Sequence, residues 1–387
     1  MKYLLNRSML IILSVSIAII TSSALAEPEL KSDTFDSTKT IFPAFIENEK
    51  RPQHQPLDST GKEKDLSSWA FYFDNDLLSP GARDRDYTGG FSLTLSGANA
   101  KKYPLSADPL LNKINNWFGW DHSVGIQLHS MELGANAFTP ENISSEAPLQ
   151  NDRSYASLVY LSNSQQYVEP GNKRSLMTTL TIGFLGLDIV DNFKNSLHDA
   201  FGSDSANGWE NQISKGGEPT FRYSVSSQKL RSASVKKTGA SHEIHTALKG
   251  SVGYLTNLSW GVSGRWGKIH TPWWTFNPQV NEYAEKSTPL SLGKGSRTDK
   301  ELYLWAGANV HLRLYNALLQ GQFRDSTVTY NNDELRPVVA EGWLGVTKEL
   351  GDGYRFSYVL RGQTEEISSG PASRSSVWGG IIFSRSF

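Results

Sequence analysis

The chain has 387 residues, 38% of them hydrophobic and 20% charged, with a formal net charge of −1 at pH 7. A mean hydropathy of −0.41 excludes a bundle of membrane helices, and the near-zero charge offers no global basic surface to nucleic acid. With no cysteine in the sequence, disulfides, thiolate nucleophiles and Cys-ligated metals are excluded as well.

The first predicted element is an export signal. Lys2 and Arg7 supply a basic start, 9–20 is an apolar run, and Ala24-Leu25-Ala26 fits the small-x-small cleavage rule, so residues 1–26 read as a signal peptide. The run is too short to cross a membrane as a helix. Residues 27–67 are rich in Glu, Lys, Asp, Ser, Thr and Pro and read as a weakly ordered periplasmic extension. An apolar island at 41–46 either packs on the domain or plugs a lumen; its sequence leaves both open.

From residue 68 onward a period of two takes over. Leu258, Trp260, Val262 and Trp266 alternate with Asn257, Ser259, Ser263 and Arg265; Tyr354, Phe356, Tyr358 and Leu360 oppose Arg355, Ser357 and Arg361. A soluble sandwich alternates too, but here the apolar faces carry Trp and Tyr near strand ends, while the polar faces are mostly Gly, Ser and Thr. The expectation is an all-β fold, an antiparallel transmembrane β-barrel of about 12 strands over 68–387. Strands are predicted at 68–75, 87–97, 123–133, 154–166, 176–186, 219–230, 241–254, 257–268, 301–313, 337–349, 354–364 and 377–387. The stretch 314–336 leaves room for a further strand. Alternation reaches the terminal Phe387, as in the assembly signal of bacterial outer-membrane barrels, although Arg385 stands where such signals carry an aromatic. An even strand count puts both termini in the periplasm, with Gly351-Asp352-Gly353 as a periplasmic turn and the loops 76–86, 134–153 and 187–218 on the outer rim.

Chemistry-bearing residues gather at that rim. Asp76 shares the face of Ala70, Tyr72 and Asp74, and Thr88 that of Ser92, Thr94 and Ser96, so parity aims both into the lumen. Asn75 would face lipid by strict parity, so the chain is expected to leave regular strand geometry there. The loop 187–218 holds a helix-like run with His198, followed by Asp204. A histidine beside carboxylates can act as a general base, and carboxylates can hold a hard cation. The bland readings stand beside these: an Asn-Asp pair at a strand end is more often a turn former. Arg85, Arg153 and Lys194 are either solvated loop charges or contacts to phosphate. His129-Ser130 invites a serine-hydrolase reading, but adjacent strand residues point to opposite faces and form no dyad.

These residues resemble a known family, the lipid A 3′-O-deacylases of the Gram-negative outer membrane. The resemblance rests on Phe73-Asp74-Asn75-Asp76, on Asp84-Arg85-Asp86-Tyr87-Thr88-Gly89-Gly90, on Phe138-Thr139-Pro140 and on Asp152-Arg153-Ser154-Tyr155-Ala156. It continues through Asn195, His198, Gly202, Trp209 and Gln212. It implies a twelve-stranded barrel in the outer membrane, a monomer whose partners are lipopolysaccharide and membrane lipid. It further implies a Ca2+-dependent esterase that removes the 3′-O-linked acyloxyacyl chain of lipid A. By position, His198 would be the base that activates water, Asp76 and Asp204 the calcium ligands, and Asn75 and Thr88 the rest of the polar site. Asp204 stands where the family commonly has Glu, and Lys194 where it usually has Gln; Lys194, Arg153 and Arg85 would meet substrate. A calcium-dependent phospholipase and a non-enzymatic porin remain the alternatives.

Overall fold

The computed structural model describes residues 62–80, 85–120, 125–169, 171–188, 207–235, 241–286 and 300–387. The expected signal peptide and the island at 41–46 lie outside the described residues. Twelve strands follow among those described: β1 (Ser68–Asn75), β2 (Asp86–Ser96), β3 (Ile126–Thr139), β4 (Ala156–Glu169), β5 (Arg174–Leu185), β6 (Glu218–Val235), β7 (Ser241–Gly253), β8 (Leu255–Lys268), β9 (Leu302–Asn316), β10 (Val338–Gly351), β11 (Tyr354–Gln363) and β12 (Ser376–Ser386). Each pairs antiparallel with its sequence neighbours, and β1 pairs with β12 from Ser68↔Ser386 to Asn75↔Gly379. The sheet therefore closes into a barrel without an edge. No helix is long and apolar enough to cross a membrane among the described residues. Strands can cross only as a closed barrel, because an unpaired backbone group in hydrocarbon costs several kcal/mol.

The alternation read from sequence is the alternation of the wall. On β1, Ala70, Tyr72 and Asp74 are buried inside, while Phe71 faces out in register with Leu93 and Phe383. Strand ends differ more than strand existence: β3 runs to Thr139, so residues 134–139, expected in a loop, are wall. The stretch 314–336 adds no strand; it contains the end of β9, a helical turn at Ala317–Gln320 and a 3-10 turn at Asn332–Glu334. Gly351-Asp352-Gly353 does turn the chain at the end of the barrel that carries Phe387, here called the terminal end. At Gly353, φ is 80° and a Cβ would lie 2.1 Å from the Ser386 carbonyl oxygen, so only glycine fits.

Two connections at the terminal end are long, and they go to opposite sides of the wall. The β8–β9 connection turns inward, and residues 271–286 fill the lumen. Its Glu282 is ion-paired with Arg222 and accepts the Asn257 amide at 2.6 Å, and Glu285 takes Lys249 at 2.7 Å. Lys286 reaches Asp74 at 2.5 Å, and Gln279 accepts from Ser263 at 2.6 Å. These inward positions of β6, β7 and β8 read in sequence as a wet lumen; they are matched by protein instead. Buried ion pairs of this kind fix one arrangement more than they add stability, since desolvation offsets much of their attraction.

The β2–β3 connection turns outward. It carries helix α1 (Asp108–Phe118), started by Pro109 in its first turn and stopped by Gly119 in the left-handed conformation. Leu111 and the following Trp120 pack on Leu176, Leu180, Tyr223, Val225 and Val252. Those residues sit at odd or even positions opposite to Thr181, Ser224, Arg222 and Lys249, whose side chains meet the lumen segment. Helix α1 therefore lies against the outside of the barrel. Hydrogen bonds register it there: the fully buried Asn115 donates to Gln165 and Thr178 at 2.8 Å each and accepts from the Tyr223 hydroxyl at 3.0 Å.

Candidate active site

At the rim opposite the terminal end, Asn75 stops β1 and caps a 3-10 turn over Asp76–Leu78. Its Oδ1 accepts the Leu77 N–H at 2.8 Å, and its Nδ2 donates to the Thr88 carbonyl at 2.9 Å. Asn75 itself keeps strand geometry, with φ −157° and ψ 144° and pairing to Gly89 and Gly379, so the expected departure begins one residue later at Asp76; the amide is satisfied instead by bending back to its own turn and to β2. Asp76 then points inward, 2% exposed, and its Oδ2 accepts the Arg85 N–H at 2.9 Å.

The Tyr87-Thr88-Gly89-Gly90 run has a steric reason for its glycines. Gly89 has φ 151°, and a Cβ there would lie 2.4 Å from the Asp74 carbonyl oxygen; at Gly90 it would lie 2.2 Å from the Asn136 Oδ1. Glycine lets β1 and β3 close on β2 at the rim. The run also holds a β-bulge between Tyr87 and Gly89, with Asp86 just before it in the left-handed region at φ 66°. The extra residue resets the alternation, which changes the parity expectation for Thr88. The lumen position passes to Tyr87, whose hydroxyl donates to Asp74 at 3.4 Å and whose ring packs 5.1 Å from Tyr283 and Trp378 and 5.3 Å from Phe138. Thr88 is buried with its hydroxyl 2.6 Å from that of Thr139.

Three loops at this rim are tied together around this turn. Arg374, from the β11–β12 loop, donates to Asp86 at 2.8 Å and pairs with Asp152 at 2.7 Å. Burial works against its charge, yet Asp86 and Asp152 together hold the guanidinium above its usual pKa. Arg85 is paired with Glu141, whose own N–H donates to Asp152 at 2.7 Å. Arg153 departs from its expectation as an exposed phosphate contact. It is 4% exposed, donates to Glu366 at 2.7 Å and lies 4.5 Å over the Phe138 ring. Its Nε and Nη2 have no hydrogen-bond partner among the described residues.

Lys194, His198 and Asp204 lie outside the described residues. The chain on either side of them is at the rim: Asp188 accepts from Gln212 at 3.2 Å, and Gln212 accepts from Ser157 on β4 at 2.9 Å. Asn207 donates through its N–H to Ile143 at 2.9 Å, and Trp209 packs 5.0 Å from Tyr155. The serine-hydrolase reading of His129-Ser130 finds no geometry: His129 Nδ1 is 2.7 Å from Glu63, and Ser130 stands opposite Ser96 on the inner face.

No group of three His, Asp or Glu side chains forms a metal cage among the described residues. The buried Asp76 carboxylate fits a hard cation such as calcium in kind, but calcium takes 6–8 oxygens, so further ligands would have to come from elsewhere on the rim.

A family model described as outer membrane protein LpxR matches residues 42–387. The chain belongs to the LpxR family of outer-membrane proteins. LpxR from Salmonella typhimurium superposes with a TM-score of 0.62 at 17% identity, covering 83% of this chain and 100% of the other, a likeness of fold. The β domain of the Bordetella autotransporter BrkA aligns over 84% of this chain and 100% of its own, at 10% identity and a TM-score of 0.39. No curated protein sequence matches. Family membership agrees with the resemblance drawn from the motif residues and with the twelve-stranded barrel. Sequence reasoning did not single out Tyr87 as a lumen residue, nor Glu366 and Arg374. Tyr87 was visible in its motif, whereas the two residues from the last outer loop had no local signal and are recruited by folding.

Proposed function

We propose that this outer-membrane barrel is a lipid A deacylase that hydrolyses the 3′-O-linked acyloxyacyl ester of lipopolysaccharide, using calcium and a histidine-activated water. The observation that carries this reading is Asp76: a carboxylate buried at the rim, bonded by the Arg85 N–H, within the run of residues on which the family resemblance rests. The even number of strands brings both termini to one end; with that end on the periplasmic side, as in bacterial outer-membrane barrels generally, this rim faces the lipopolysaccharide.

Ester hydrolysis needs a base for water and a stabiliser for the oxyanion. His198 takes the water proton. Asp76 and Asp204 would hold the calcium, which when bound would supply electrostatic stabilisation to the carbonyl oxygen, and the proton on His198 would return to the departing sugar oxygen. Asn75 and Thr88 fix the backbone around Asp76 through their hydrogen bonds to each other's strand and to Thr139. Arg85 and Lys194 meet the lipid A phosphates, whereas Arg153 is turned inward onto Glu366. A porin reading is disfavoured because residues 271–286 occupy the lumen.

Mass spectrometry of lipid A from cells that express the chain tests the proposal. The parent should remove an acyloxyacyl group in calcium and not in excess chelator, and Asp76→Ala should lower the product by about 100-fold or more with the barrel still folded. Unchanged lipid A with released lysophospholipid would point to a phospholipase instead. Activity that survives chelation would remove calcium from the scheme.

A further inference from the structure

Helix α1 is held on the outside of the barrel by its buried side, and its other side is apolar and basic. Trp117 is 77% exposed and Leu110 48%, and Leu105 just before the helix is 76% exposed. Lys113 is exposed on the helix, and Lys101 and Lys102 are exposed on the approach to it. A tryptophan and leucines interleaved with lysines are the composition of a segment that lies in the membrane interface.

We propose that α1 is a lipid anchor, seated in the boundary between headgroups and acyl chains of the leaflet at the terminal end of the barrel. Trp117, Leu110 and Leu105 enter the acyl boundary, and Lys113 and Lys101 face the phosphates of anionic phospholipid, beside Lys102, which is itself paired with Asp65 at 3.1 Å. The even strand count brings both termini to that end; on the orientation taken under the proposed function it is the periplasmic one, so the lipid is phospholipid of the periplasmic leaflet.

Two observations favour lipid over a protein partner. The wall beside α1 is lipid-facing: Ile182, Phe184 and Phe221 are exposed on the outward faces of the same strands β5 and β6 that carry the helix. The exposed side of α1 continues that surface. The attachment of α1 also has the form expected next to lipid. Apolar packing gains little where acyl chains compete for the same surface, so registry has to come from hydrogen bonds. Asn163 accepts the Ala107 N–H at 2.8 Å, Gln165 donates to Asp108 at 3.0 Å, and Asn115 takes three bonds. Asn163 and Gln165 are outward-facing amides on β4 that would be costly in lipid, and α1 covers them.

The absence of cysteine in the sequence makes the test direct. Single variants Trp117→Cys, Leu133→Cys and Asn172→Cys are labelled with a fluorophore and reconstituted in phosphatidylethanolamine–phosphatidylglycerol vesicles containing nitroxide phospholipid. Leu133 is exposed on the outward face of β3, and Asn172 is exposed in the β4–β5 turn at the terminal end. Quenching at 117 should approach that at 133 and exceed that at 172 by about three-fold. Quenching at 117 no greater than at 172, with equal access to aqueous iodide, would overturn the proposal. So would shielding of 117 from both quenchers with cross-linking between copies, which would make this face a contact between chains.

Discussion

The two long connections at the terminal end solve the same problem in two different surroundings. Residues 271–286 cover charged groups inside the barrel, and α1 covers amides outside it. Inside, the bonds are between full charges: Glu282 with Arg222, Glu285 with Lys249, Lys286 with Asp74. Outside they are mostly between neutral groups, Asn115 with Gln165, Thr178 and Tyr223, the one carboxylate being Asp108 at the start of α1, which accepts from Gln165 at 3.0 Å. The difference follows from what would replace each contact. A lumen without its plug can admit water, which would solvate the charges; the outer wall without α1 meets lipid, where a charge would cost far more than an amide.

The sharpest break in the comparison is at Glu282. Beyond Arg222 and Asn257, it stands 3.6 Å from Lys249 and 3.5 Å from His311. Glu282→Ala should leave Arg222 and Lys249 sharing Glu285, an uncompensated buried charge that costs about 3–5 kcal/mol. Urea titration of the folded, heat-modifiable barrel in detergent reads that loss. A cost below about 1 kcal/mol would mean that water, not the plug, solvates the lumen charges in the native state.

The wall was legible because period-two alternation is a local property of each strand, and Phe71, Trp260 and Phe356 announce the outer face residue by residue. What a connection does after leaving the wall is set by distant partners. Glu282 and Lys286 have no meaning in sequence until Arg222 and Asp74 stand beside them. Helix α1 is different: it was not among the predicted elements, although Pro109 at its start, Leu111, Ile114 and Phe118 at helical spacing and Gly119 at its stop stand in the sequence. What no local pattern gives is that it docks outside. At the rim, Asn75, Asp76 and the Tyr-Thr-Gly-Gly run were readable as a motif, but the bulge that replaces Thr88 by Tyr87 in the lumen is a property of pairing with β3. The clasp of Arg374 on Asp86 spans almost the whole chain, so sequence distance hides it.

Asn115 tests the outside half. Asn115→Leu keeps the volume and removes one partner each from Gln165, Thr178 and Tyr223, at about 1–3 kcal/mol. Because α1 is an appendage on a closed barrel, the loss should be local. Amide exchange should rise across residues 108–118 while the strands keep their protection. Exchange rising equally in β4 and β5 would show that α1 and the wall unfold as one unit.

The smallest effect has the most informative sign. Thr178 is an outward-facing residue of β5, and Val has nearly its shape. If lipid covered this position, Thr178→Val would exchange a hydroxyl for a methyl against hydrocarbon and would be neutral or stabilising. With α1 over it, the same change removes the acceptor of an Asn115 hydrogen bond of 2.8 Å and should cost about 0.5–1.5 kcal/mol. Combining it with Asn115→Leu separates the two cases further. The two residues share one bond, so the double variant should cost less than the sum of the singles, and the shortfall is the coupling through that bond. Additive costs would place Thr178 against lipid and α1 away from the wall.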